Sequence, residues 1–256
     1  MILDIKPISS LGQGDNYINV KDNKYLYQID KSIKVNVNND SYILDTALNS
    51  NIEINVKEGS NLKYYILNSK SSNRLFNIKG NVEIIEIQFD ESNEKFIANL
   101  NLENSNLEYK ILSILDNKNS LFDLNVYHNE KYTFSNIQNI GVAQNNSNVT
   151  FNVTGKILKG MMKSKCSQKT RGIVMDDFSK VIAKPILLID EYDCFANHGA
   201  AIGKVNDEEL FYLMSRGLTK DESVLLILSG LVNPFVSEIP NESLKKDISN
   251  NLNSLF

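Results

Sequence analysis

This 256-residue chain holds two thiols and two imidazoles: Cys166, Cys194, His128 and His198. Cys194 and His198 stand four residues apart in the segment 185–217, PILLIDEYDCFANHGAAIGKVNDEELFYLMSRG. A thiolate with a neutral imidazole suits iron or zinc, and imidazole also changes charge near neutral pH. Even spacing in a strand would place both on one face. Two ligands leave a metal site incomplete, so others must come from elsewhere or from another subunit. The plainer reading is a buried free thiol and a histidine that satisfies a turn. Gly199-Ala200-Ala201 after His198 would let another backbone approach closely. Cys166, beside Lys163 and Lys165, would have a depressed thiol pKa if those charges act on it; otherwise it is incidental. Asp190, Glu191 and Asp193 are hard-cation or acid/base candidates, or a solvated strand edge. His128 has no companions that suggest a role.

The excluded classes follow from charge and motif. A net charge of −4 with scattered lysines argues against a nucleic-acid face and a membrane surface. Gly12-Gln13-Gly14 is too short to cradle phosphate, and no Gly-Lys-Ser/Thr string occurs, so the chain is not expected to hydrolyse nucleotides. The start lacks a basic region followed by a long apolar run, and no stretch is apolar enough to span a bilayer. Two cysteines do not make a disulfide framework. The expectation is reduced thiols and a cytoplasmic location.

The residues that must position the 185–217 segment are β-rich. Ile52-Glu53-Ile54-Asn55-Val56, Val82-Glu83-Ile84, Leu107-Glu108-Tyr109-Lys110-Ile111 and Val149-Thr150-Phe151-Asn152-Val153 alternate with period two. Asn, Ser, Asp and Gly punctuate them as turn residues. Asn51, Asn61, Asn81, Asn106 and Asn148 each open such a run, and SNLKYYIL (60–67) matches SNLEYKIL (105–112). Irregular recurrence suits a β-solenoid whose asparagines stack as ladders, and an antiparallel sandwich stays equally open. Residues 1–16 read as a loop or short first strand, 155–165 as a basic strand end, 172–175 as another strand and Asp176-Asp177 as a turn. Pro185 opens Ile186-Leu187-Leu188-Ile189, an apolar run of the kind buried on both faces.

Helical signals begin at Asn206, which with Glu209 resembles a capping box, and Gly217 is a natural stop. Thr219 and Glu222 form a second box before Val224, Leu225, Leu228 and Leu231, with Pro234 expected to end or bend that helix. Asn241 caps a last helix with Leu244, Ile248 and Leu252 on one face. Helices this short must dock, on the β domain or on a partner.

Ile140-Gly141-Val142, FNVTGKILKG (151–160), Gln168, Arg171, PILLIDEY (185–192), Asp193, His198-Gly199-Ala200-Ala201, Gly203 and LFYLMSRG (210–217) together resemble the SufB/SufD family of iron–sulfur cluster assembly scaffolds. The resemblance is strong over 138–238 and architectural upstream. It implies a right-handed parallel β-helix over 1–205 followed by a helical region over 206–256. It implies a non-catalytic scaffold whose ATPase activity resides in a partner, the ABC-type ATPase SufC. That partner would dock on the helical region, with Leu210, Phe211, Tyr212, Arg216, Leu225 and Leu228 as candidate contacts. Family members pair through their β-helices, so a SufB-type paralogue or a second copy is implied, with a cysteine desulfurase system acting indirectly. A transient iron–sulfur cluster would form near that junction, where His198 matches the family's interface histidine. Cys194 matches no family cysteine. Gly199 stands where SufB-like members tend to carry Glu, which favours a SufD-like assignment. The chain is shorter than typical members at its N-terminal side. Two other classes remain: a carbohydrate-active β-helix, for which no aligned acidic and basic array is visible, and a purely structural solenoid.

Overall fold

The computed structural model describes residues 2–11 and 17–254; Gly12-Gln13-Gly14 lies outside them. The strands form two parallel sheets by strict alternation along the chain. One sheet contains β1 (Ile5–Pro7), β3 (Leu26–Ile29), β5 (Ser41–Asp45), β7 (Asn61–Leu67), β9 (Asn81–Gln88), β11 (Asn106–Asp116), β13 (Phe134–Gln144), β15 (Lys165–Val174) and β17 (Phe195–Lys204), in that spatial order. The other contains β2 (Ile18–Val20), β4 (Ile33–Val37), β6 (Asn51–Val56), β8 (Asn73–Ile78), β10 (Ser92–Leu100), β12 (Asn119–His128), β14 (Asn148–Ile157) and β16 (Lys180–Ile189). Every pairing joins strand n to strand n+2 in parallel register. That is a parallel β-helix, so the solenoid holds and the sandwich does not.

Alternation decides the direction of each side chain. Ile52, Ile54 and Val56 of β6 point inward, as do Leu107, Tyr109 and Ile111 of β11. The lumen is filled by stacked side chains, including Tyr64, Phe76, Phe96 and Tyr109 in successive ring contacts and Phe122 stacked on Phe151. Each such burial is worth roughly 1.5–3 kcal/mol. The asparagines that open the runs are the first residues of β6, β7, β9, β11 and β14. Asn81 donates to Asn61, Asn73 to Asn51 and Asn148 to Asn119 across adjacent coils. A second ladder climbs the outer face through Asn19, Asn36, Asn55, Asn77 and Asn99. These amides replace water at positions where a parallel sheet repeats identically, as stacked strands do elsewhere.

The coil lengthens along the chain, from 20 residues between Asn61 and Asn81 to 31 between Thr133 and Ser164. The narrow end is plugged by a 3₁₀ turn, Ile8–Leu11, whose Ile8 joins the core.

Three helices follow: α1 (Asp207–Ser215), α2 (Lys220–Ser237) and α3 (Glu242–Asn253). Asn206 Oδ1 accepts from the Glu208 and Glu209 amides, and the Thr219–Glu222 box is complete in both directions. Gly217 takes the left-handed conformation at φ +99°, the position that favours glycine. Val224, Leu228, Val232, Phe235, Ile248 and Leu252 pack on the outward residues of the odd-numbered sheet, among them Leu44, Tyr65, Ile85, Ile87, Leu112 and Val142. Tyr65 donates to the Glu238 carbonyl, Lys110 pairs with the Glu238 carboxylate, and Leu3 N donates to Pro240 O at 2.6 Å. The last two helices therefore run back over the solenoid to its first coil.

Three expectations need correction. Pro234 does not end α2, which continues three residues beyond it with Phe235 and Val236 buried in the last turn. The strand expected at 172–175 starts already at Lys165. The 186–189 run is not buried on both faces: β16 is the last strand of its sheet, with Ile186 and Leu188 half exposed. Pro185 is tolerated within β16 because an edge strand donates on one side only.

Candidate functional site at the open end of the solenoid

Among the described residues nothing caps the wide end. His198 pairs in register with Gln168 of β15, whose side chain is buried in the lumen. Parallel neighbours share a face, so His198 is an inward residue of a coil with nothing stacked beyond it. It is consequently exposed, as is nearly every residue of β17. Around it the same end bares Phe178, Ile182, Ile186, Leu188, Tyr192, Phe195 and Ile202. An exposed apolar group of this extent around an unpaired sheet edge is the signature of an interface.

Cys194 sits in the bend before β17, partly exposed, with its thiol donating to Glu191 O at 3.1 Å. Burial and the neighbouring Glu191 and Asp193 carboxylates push its pKa up, so it is not an activated thiolate. Cys166 is inward and buried; burial raises its pKa rather than the lysines depressing it. Gly155 makes room for it: a Cβ there would lie 2.4 Å from Cys166 Sγ and 3.0 Å from Gln168 Nε2. Both cysteines are free. Cys194 also lines a groove of about 820 Å³ with Tyr132, Phe134, Lys163, Asp193 and Phe195. Among the described residues no three His, Cys, Asp or Glu side chains gather as a metal site. The ligands expected together at 194 and 198 therefore do not close a site within one chain.

The acidic cluster is a turn device. Glu191 accepts from the Gly160 and Asp193 amides, and Asp193 pairs with Lys163 at 2.8 Å. His128 is fully buried between Thr133 and Ser135 hydroxyls at 2.7 and 2.8 Å, and burial lowers its pKa to about 4.

The residues expected to meet an ATPase divide. Phe211 and Tyr212 of α1 are exposed, Arg216 stacks over the Tyr212 ring, and Leu210 and Leu225 are half-buried. No residue of α1 is buried. Leu228 is 0% exposed and belongs to the seam between α2 and the sheet, so it supports the helix and is closed to a partner.

Sequence reasoning missed a charged network deep in the lumen. Arg74 of β8 contacts Asp45 of β5 at 2.8 Å and Glu94 of β10; Glu86 of β9 bonds Tyr109 and Gln88. Its one visible signal was the broken alternation at Ile85-Glu86-Ile87, where both isoleucines face outward.

Among the described residues no helix is long and apolar enough to cross a membrane. The family model described as "SUF system FeS cluster assembly, SufBD core domain" matches residues 11–231. The iron–sulfur cluster assembly protein SufD of Bacillus subtilis is 37% identical over 127 residues, 50% of this chain and 29% of that protein. SufD of Escherichia coli is 26% identical over 151 residues, 58% of this chain and 36% of that protein. A SufBD family protein of Pyrococcus horikoshii is 39% identical over 90 residues, 34% of this chain and 20% of that protein. The chain thus spans well under two thirds of these relatives. A parallel β-helix with an uncapped wide end, matched over most of its length by that model, belongs to the SufBD family of iron–sulfur cluster assembly proteins.

Proposed function

We propose that this chain is a SufD-like, non-catalytic scaffold subunit of the SUF system, working with a SufC-type ATPase and pairing by its wide end with a SufB-type paralogue or a second copy. The observation that carries the reading is the uncapped last coil, which leaves His198 and a surrounding apolar rim without intrachain cover. A second β-helix set against that rim would bury it and bring His198 to the junction. Ligands that this chain lacks would then come from the facing subunit, with iron and sulfide as cargo. Cys194, at the rim, is a weaker donor because its thiol is protonated at neutral pH. Helix α1 supports the ATPase part of the reading. It is amphipathic, exposes Phe211 and Tyr212, and is joined to a firmly docked α2. Motion imposed on α1 would thus reach both the seam and β17. The fold leaves a cytoplasmic working place and indirect supply from a cysteine desulfurase as parts of the same proposal.

The test is anaerobic co-expression with the ATPase and paralogue, followed by iron and sulfide analysis. Phe211→Asp should abolish ATPase co-purification and leave pairing intact. His198→Ala should keep both partners and lose bound cluster. Full cluster content in His198→Ala, or undiminished ATPase binding in Phe211→Asp, would reject the corresponding part.

A further inference from the structure

Among the described residues three carboxylates share the buried lumen of the middle coils with a single guanidinium. Asp45, Glu86 and Glu94 are each at most 1% exposed, and Arg74 is 3% exposed. Asp45 Oδ2 accepts from Arg74 Nε at 2.8 Å and from Tyr64 Oη at 2.7 Å. Glu94 accepts from Arg74 Nη1 and from Ser92 Oγ at 2.7 Å, and Arg74 Nη2 donates to Ser69 Oγ at 2.9 Å. Arg74 thus turns Nε and Nη1 to the two carboxylates and Nη2 to a hydroxyl. That pair and triad already carry one negative charge in excess, so ionising Glu86 would add a second in a medium that solvates charge poorly.

Glu86 has no cation of its own. Its partners are Tyr109 Oη and Gln88 Nε2, the latter at 2.8 Å. The amide end of Gln88 supplies the independent observation. Gln88 is 0% exposed and its Oε1 has no hydrogen-bond partner; Ser113, its register neighbour on β11, also has an unpartnered Oγ. An amide's two ends are interchangeable in shape. Turned over, Gln88 presents Oε1 to Glu86 Oε1 as an acceptor, which requires a proton on the carboxyl. The same turn gives the orphaned carbonyl a donor.

We propose that Glu86 is a proton-binding switch, protonated in the folded solenoid and donating to Gln88, whose ionisation loosens the middle coils. Burial first, and the Glu94 charge second, move its pKa to about 7 from 4.5. The groups that act on it are Glu94, Arg74, Tyr109 and Gln88; the Arg74 charge and the hydrogen bonds with Tyr109 and Gln88 oppose the shift, and burial outweighs them. With the folded pKa above the unfolded one, the folded chain holds the extra proton between pH 4.5 and 7. This contribution is present below pH 4.5 and is lost as pH rises to about 7. The window corresponds to roughly 300-fold in the folding equilibrium.

The experiment compares the whole chain with Glu86→Gln by urea denaturation from pH 5 to 8.5, with infrared detection of protonated carboxyl in the wild type. The variant carries a neutral amide in the same shape. Its stability relative to wild type should increase as pH rises, and the carboxyl band should persist at pH 6 and fade through pH 7 to 8. A stability difference equal at pH 5 and 8.5, or a wild-type spectrum without that band at pH 6, would overturn the proposal. The spectrum decides the matter even if the variant fails to fold.

Discussion

Gly155 and Cys166 occupy one small space on opposite walls of the lumen. A methyl at 155 would meet Sγ at 2.4 Å, well inside van der Waals contact. Gly155→Ala should destabilise by about 1–3 kcal/mol, as overpacking does. In a Cys166→Ala background the cost should shrink, because the nearest atom is gone, and a double-mutant cycle in urea measures the coupling. The thiol is thereby assigned a packing role that its lysine neighbours in sequence concealed. His128 makes the parallel point for imidazole. Held neutral with a pKa of about 4 against an ordinary 6.5, it binds fewer protons folded than unfolded. Its contribution is complete above pH 6.5 and lost as pH falls toward 4. His128→Gln should therefore show a shallower acid decline than wild type in pH-dependent thermal unfolding, while losing some stability at pH 7.

The helices separate two kinds of apolar residue that periodicity alone merges. Leu228 and Phe211 look alike in sequence, yet one fills the seam and the other faces water. Leu228→Ala should cost about 2–5 kcal/mol, whereas Phe211→Asp should leave the urea midpoint within about 0.5 kcal/mol of wild type. The caps at Asn206, Thr219 and Asn241 were legible because each is a local bargain between a side chain and the next three amides. The strands were legible for the same reason, since alternation is local. Choosing solenoid over sandwich was not local: it depends on pairing n with n+2, which the irregular coil length hides. The seat of α2 on β9 and β11 was also illegible, because an amphipathic face does not name what covers it. His198 and the rim were found as residues, but their common exposure comes from a coil that has no successor. Asp45 and Glu94 lie 29 and 20 residues from Arg74 and meet it only through stacking.

At the scale of the molecule, the apolar rim is the feature with the largest consequence for assembly. Ile186 and Leu188 face outward on β16 and are half exposed. The double substitution Ile186→Lys with Leu188→Lys should leave unfolding unchanged, since neither residue is in the core, and should shift sedimentation toward the single chain. An unchanged sedimentation profile at the same concentration would place the pairing surface elsewhere.

The growing coil length gives the molecule a taper. One extremity is narrow and stoppered by Ile8; the other is broad and bare. Head-to-tail addition would set a ten-residue strand such as β17 against the three residues of β1, leaving most of the broad edge unsatisfied. Broad edge against broad edge has no such mismatch and leaves two stoppers facing outward. If the chain pairs by its wide end as proposed, the shape that exposes a sheet edge would also favour a closed twosome over a fibre.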